Sequence, residues 1–198
     1  MLSSGTERRL WPHCLQNNMM ADYPAELIDI LKSGGIAVIR TDTIYGVIGR
    51  ADNQAAVERI YQVKGRDPEK SPIILISDPS EMFDTYSPAT LQILSSCWPG
   101  PNSIILPSRQ GPTWITRGNA SIAYRLPADA ALQALIREVG PLAAPSANPE
   151  GLTPATTIDQ AREYFGDLVD YYVDGGTVTN QQPSSLFRYQ NETMTRLR

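Results

Sequence analysis

The chain has 198 residues, 41 % of them apolar, with a formal net charge of −4 and one histidine. That apolar content supports one packed α/β domain, with or without a tail, and excludes wholesale disorder. The acidic balance argues against bulk nucleic-acid binding as the main task, though a local basic cleft stays open. A lone histidine, His13, excludes a histidine-based zinc site and argues against a Ser-His-Asp triad.

Residues 1–20, "MLSSGTERRLWPHCLQNNMM", show no periodicity and no apolar stretch of signal-peptide or membrane-span length. They read as a tail or start-site extension ahead of a single domain over 21–198. The competing reading is an RNA-contacting arm built on Arg8, Arg9 and Trp11. Cys14 and Cys97 are far apart and form no CxxC, so a reducing cytoplasm is the simplest location.

From residue 23 the chain alternates helix and strand signals. "YPAELIDILKSGG" predicts a helix, with Pro24 in its first turn, Leu27 and Leu31 four apart, and Gly34 as a stop. "IAVIR" predicts the first strand. It runs into "TDTIYG", where two hydroxyls, a carboxylate and a phenol crowd the strand end. "NQAAVERIYQVKGR" predicts a helix capped by Asn53, with Val57, Ile60 and Lys64 on one face. "PIILIS" is a strand, and "SPATLQILSSC" a short helix capped by Ser87. "SIILP" and "SIAYRLP" are strands with no intervening helix. "DAALQALIREVG" is an amphipathic helix through Leu132, Leu135, Ile136 and Val139. "PLAAPS" is a strand, "TIDQAREYFG" a helix opened by a Thr157–Gln160 capping box, and "LVDYYVDGG" a strand and turn. "SSLFRY" reads as the last strand. This order predicts a layered α/β fold around a twisted, mixed parallel and antiparallel sheet flanked by helices.

Polar residues gather at the element ends. Beyond "TDTIYG", the segment "KGRDPEKSP" places Lys64, Arg66 and Lys70 within a few residues. Such a group can hold a polyphosphate, or it can simply complement a helix C-terminus. "APSANPEG" supplies Ser146 and Asn148 after a buried strand, in a substrate site or in an ordinary Asx turn. Arg125 sits inside the apolar strand "SIAYRLP", where a cation needs an anionic partner from the protein or from a ligand. Neither GxxxxGK[ST] nor GxGxxG is present.

Taken in order, "RTDTIYGV", "KGRDPEKSP", "WPGPNS", "IAYRLP", "PSANPEG", "DGG" and "PSSLF" resemble the motif series of the YrdC-like family, the threonylcarbamoyl-AMP synthases. The resemblance runs from about residue 24 to 189 and implies the short, single-domain form with a concave cationic cleft. It implies an ATP-dependent nucleotidyltransferase that converts L-threonine, bicarbonate or CO2, and ATP into threonylcarbamoyl-AMP and pyrophosphate. The product serves N6-threonylcarbamoyladenosine modification of tRNA at position 37.

On this resemblance Thr43, Arg125, Ala144 and Ser184 form the threonine pocket. Lys64, Arg66, Lys70, Ser121, Ser146, Asn148 and Pro154 contact ATP, with Lys64 and Arg66 as the catalytic pair. Mg²⁺ accompanies ATP, and no resident metal site is implied. The implied partners are tRNA or double-stranded RNA and the downstream threonylcarbamoyl-transfer proteins. The alternatives are an RNA-binding module without synthase activity and an enzyme making another carbamoyl adenylate. The chain departs from the family pattern at Arg40 (for Pro), Asp42 (for Glu), Asn102 (for Leu), Pro149 and Glu150 (the latter for Ser), and Ser185 (for Thr).

Overall fold

The computed structural model describes residues 23–180 and 182–198. The expected tail or arm at 1–20, with His13 and Cys14, lies outside the described residues. Helices α1 (Ala25–Lys32), α2 (Gln54–Lys64), α3 (Pro88–Ser95), α4 (Thr113–Thr116), α5 (Ala130–Val139) and α6 (Ile158–Phe165) alternate with nine strands. These are β1 (Ala37–Arg40), β2 (Tyr45–Arg50), β3 (Ile73–Leu75), β4 (Asn102–Pro107), β5 (Ser121–Arg125), β6 (Leu142–Ala143), β7 (Tyr171–Tyr172), β8 (Ser185–Gln190) and β9 (Thr193–Arg196).

The caps at Asn53, Ser87 and Thr157 are those the sequence announces, Asp129 is a further one, and a short helix, α4, stands between β4 and β5 where none was expected. Asn53, Ser87, Asp129 and Thr157 each accept a backbone N–H of the first turn of α2, α3, α5 and α6. The capping box of α6 is shifted by one residue, because the Gln160 side chain accepts from the Thr156 N–H at 2.9 Å. Two strands were not anticipated. Tyr45–Arg50 turns back on Ala37–Arg40 as an antiparallel hairpin, and Thr193–Arg196 adds an edge beyond the strand expected to be last. Both follow a polar cluster that reads as a loop.

The sheet runs β7-β1-β2-β6-β3-β5-β4-β8-β9 and is mixed, with parallel pairs β1/β7, β3/β5 and β4/β8. Its two faces are covered unequally. One face packs Val38, Val47, Ile74, Ile104, Leu106, Ile122 and Tyr124 against α2, α6 and neighbouring loops. The other packs Ala37, Ile39, Ile48, Leu75 and Leu142 against Leu27 and Leu31 of α1 and Leu132, Leu135, Ile136 and Val139 of α5. Each such fully buried aliphatic side chain contributes roughly 1.5–3 kcal/mol.

That second layer covers only half the face. Leu75 lies opposite Arg125, Ile105 opposite both Ala123 and Arg188, Ser103 opposite Leu186, and Pro107 opposite Ser121. Residues opposite one another share a face, so β5, β4 and β8 continue the helix-covered face past the edge of α1 and α5. That continuation lines the cavities described next.

Candidate functional site

The site begins where the helix layer stops. The β1–β2 hairpin loop folds on itself: the Thr41 hydroxyl donates to the Ile44 carbonyl at 2.8 Å and lies 3.1 Å from the Thr43 hydroxyl. Arg125 comes to this loop from β5. Its Nη1 donates to Thr43 Oγ1 at 3.1 Å, its Nη2 to Thr41 Oγ1 at 3.4 Å, and Nη2 lies 3.1 Å from Asp42 Oδ1. Both members of the Arg125–Asp42 pair are buried, and Arg125 Nε has no hydrogen-bond partner. Burial pushes the Asp42 carboxyl up against the pull of Arg125, and it draws the Arg125 guanidinium down. The protein therefore supplies an anionic partner for Arg125 while still leaving one of its donors uncommitted.

A cavity of about 260 Å³ opens over this arrangement, lined by Thr41, Thr43, Arg125, Ala144, Ser146 and Ser184 among others. Gly46 allows the segment after β6 to pass close, since a Cβ there would meet the Pro145 carbonyl at 3.3 Å. Ser184 is buried, 2.8 Å from the Ser103 hydroxyl. All four residues expected to hold the amino acid lie on this wall, together with Arg66, Ser146 and Pro154 from the expected nucleotide set.

A second cavity of about 390 Å³ shares Arg66, Ile73 and Arg198 with the first and extends along β5, β4 and β8. Arg66, Lys70, Arg188 and Arg198 line it, against Glu69 as the one lining carboxylate, over a partly apolar surface of Ile105, Ala123 and Leu186. Expected Lys70 and Ser121 are here. Arg66 is steadied by its own loop, donating to the Lys70 and Ser71 carbonyls at 3.3 and 3.2 Å.

Lys64 and Asn148 line neither cavity. Lys64 is 2 % exposed, and its Nζ donates to the Ser146 and Asn148 carbonyls. Burial, reinforced by Arg66 and opposed by Glu150, draws its pKa down to about 7. Asn148 is spent on its own loop: it accepts from the Ser146 hydroxyl at 2.6 Å and donates to the Leu152 carbonyl at 2.7 Å. Lys64 thus ties the end of α2 to the 146–148 turn, and the Glu150 N–H returns the tie to the Lys64 carbonyl at 2.7 Å. The Glu150 carboxylate accepts from Lys70 across the same gap.

Arg198 and Arg188 escaped the sequence reading. β9 delivers Arg198 to both cavities, where its Nη2 also donates to the Ser184 carbonyl at 3.1 Å. The usable signal was the alternation of "LFRYQ", which puts Leu186, Arg188 and Gln190 on one face.

A family model described as "Telomere recombination" (Sua5_yciO_yrdC) matches residues 29–198. Threonylcarbamoyl-AMP synthase of Idiomarina loihiensis is 33% identical over 89% of this chain and 98% of its own length. That of Shigella flexneri is 32% identical over 87% of this chain and 94% of its own. Among solved structures, P. abyssi Sua5 complexed with L-threonine superposes with a TM-score of 0.79 at 30% identity, covering 87% of this chain. The present chain spans about half (52%) of that structure's length. E. coli YciO, at 21% identity and a TM-score of 0.78, shares the fold.

Proposed function

The chain belongs to the Sua5/YciO/YrdC family, and from that premise we propose that it is an L-threonylcarbamoyladenylate synthase, a nucleotidyltransferase acting on L-threonine, bicarbonate or CO2, and ATP. One observation carries the reading. A small cavity walled by Thr43, Arg125, Ala144 and Ser184 adjoins a cationic cavity, the two sharing Arg66, Ile73 and Arg198 as lining residues. An amino acid and a polyphosphate can therefore meet at one boundary. The carbamoyl adenylates of relatives are built from such a pair.

The division of labour follows from the chemistry. The threonine carboxylate meets Arg125, which lines the cavity wall, and the threonine hydroxyl meets the Thr43 and Ser184 hydroxyls. The amine then faces the boundary between the cavities. There it condenses with bicarbonate or CO2 to a carbamate, releasing water when bicarbonate is used. A carbamate oxygen attacks the α-phosphate, the new P–O bond forms, and the bond to pyrophosphate breaks. Arg66, Lys70, Arg188 and Arg198 neutralise the triphosphate. Catalysis is positioning plus charge stabilisation, with no histidine base required. Lys64 and Asn148 contribute by shaping the turn that carries Ser146. Mg²⁺ would enter with ATP as part of the substrate and would help neutralise the triphosphate, with Glu69 the carboxylate on that wall available to it.

The product is labile, so a partly enclosed site favours its survival until transfer to tRNA. We assign the activity to residues 21–198 as one domain, place it in the reducing cytoplasm, and take tRNA-modifying transfer proteins as its partners. No helix among the described residues is long and apolar enough to cross a membrane.

The test is incubation with ATP, bicarbonate and L-threonine, following pyrophosphate release and the adenylate by mass. Release should require all three substrates. Release that ignores threonine, or needs a different amine, contradicts the assignment.

A further inference from the structure

Asp42 is the element of the site that neither substrate wall accounts for. It does not line the amino-acid cavity. It lies behind Arg125, on the wall of a separate cavity of about 660 Å³ formed with Tyr23, Arg40, Asp129, Asp174 and backbone of the 173–175 segment. Its side chain is 8 % exposed, and neither carboxylate oxygen has an aligned hydrogen-bond partner. A buried carboxylate so placed is costly. The 3.1 Å approach of Arg125 Nη2 is the charged contact that compensates it, beside the nearby backbone N–H groups of Ala128 and Asp42 itself.

We propose that Asp42 is a positioning residue for amino-acid recognition: it anchors the Arg125 guanidinium from behind, so that Arg125 is held on the cavity wall where the substrate carboxylate binds. This rests on the threonine-binding reading of the cavity. The geometry is a three-point seat, in which Thr41 and Asp42 hold Nη2 and Thr43 holds Nη1. The two hydroxyls supply hydrogen bonds but no charge. Asp42 alone supplies the charge that keeps a buried guanidinium in place when the cavity is empty. Because it contacts Nη2 through one oxygen, it leaves Nε uncommitted.

Asp42 also borders the separate cavity. The groups facing Asp42 are Arg125 on β5, Asp129 at the cap of α5, Tyr23 ahead of α1, Arg40 at the end of β1 and Asp174 beyond β7. Burial holds the Asp42 carboxyl above the usual range, and Asp129 adds to that. Protonation therefore removes the anchor at a pH where ordinary carboxylates are still ionised.

Calorimetric titration of threonine and of ATP into wild type, Asp42→Asn and Asp42→Glu tests this, repeated along the acid limb. Asp42→Asn should weaken threonine roughly 10-fold or more while leaving ATP within about 2-fold, since losing one partner of a buried charge pair is costly. Asp42→Glu keeps the charge within reach of Nη2 and should bind threonine within about 3-fold of wild type. Wild-type threonine affinity should fall as the pH drops through the raised Asp42 pKa, and the Asn variant should lack that fall. Threonine binding unchanged or tighter in Asp42→Asn overturns the inference, as does an equal loss of threonine and ATP. If the Asn variant does not fold, loss of threonine binding in a folded Asp42→Glu overturns it and retention supports it. A wild type that binds ATP but no threonine overturns both this inference and the functional reading.

Discussion

The two cavities that meet at Arg66 and Arg198 are built in opposite ways. The amino-acid side is made of buried and part-buried groups that hold one another: Arg125 with Thr41, Asp42 and Thr43, and Ser184 with Ser103. The cationic side is made of longer side chains at the surface, Lys70 with Glu150, Arg66 on its own loop carbonyls, and exposed Arg188. A preformed buried site selects by shape and unpaired polar groups, and any lost member leaves another orphaned. A solvated cluster neutralises charge, is screened by salt, and tolerates individual losses better.

The largest effect should come from the buried side. Arg125→Ala strands Asp42 without its cation, and breaking a buried pair costs roughly 3–5 kcal/mol. Both threonine affinity and melting temperature should drop, with ATP affinity little changed in the protein that remains folded. A variant of wild-type stability that still binds threonine would erase the contrast between the two sides.

Arg66 belongs to both cavities and should rank next. Arg66→Ala should slow pyrophosphate release by roughly 2–4 kcal/mol of transition-state stabilisation, as for other preorganised donors. Because it is held by neighbouring carbonyls and a part-exposed contact with the Tyr61 ring, stability should move little. Turnover equal to wild type would reduce Arg66 to a helix-end charge.

Glu150→Ser should have the smallest effect. The Lys70–Glu150 pair is exposed, and such pairs contribute about 0–1 kcal/mol. Freeing Lys70 should lower the apparent ATP constant by no more than about 5-fold and steepen its dependence on salt. A large loss of activity would show that Glu150 does more on this wall than occupy Lys70.

The same contrast explains what the sequence disclosed. Local signals carried the helices, because caps such as Asn53 and Ser87 and the stripe Leu132, Leu135, Ile136, Val139 are written within a few residues of the elements they define. The motif series carried Thr43, Arg125, Ala144 and Ser184 onto one wall, even though they come from four separate segments. Strands β2 and β9 were missed because "TDTIYG" and "QNET" read as loops on either side of short runs, and only pairing across the sheet makes those runs strands. Arg188 and Arg198 were missed for the same reason, since their place depends on β8 and β9 being paired. Lys64 was placed on the correct helix face beside Val57 and Ile60, yet its buried Nζ depends on the distant 146–148 turn. The Arg125 partner could not be read either, since Asp42 is brought to it only by the β3–β5 register and the β1–β2 loop.

The central claim is that the buried wall recognises threonine itself. Calorimetric titration of threonine, serine and valine into the wild-type protein tests it most directly. Serine lacks only the methyl and should bind roughly 10–200-fold more weakly, whereas valine lacks the hydroxyl and offers no partner for the remaining hydrogen-bonding capacity of the Thr43 and Ser184 hydroxyls, so it should be rejected more strongly. Valine binding as tightly as threonine would contradict the account.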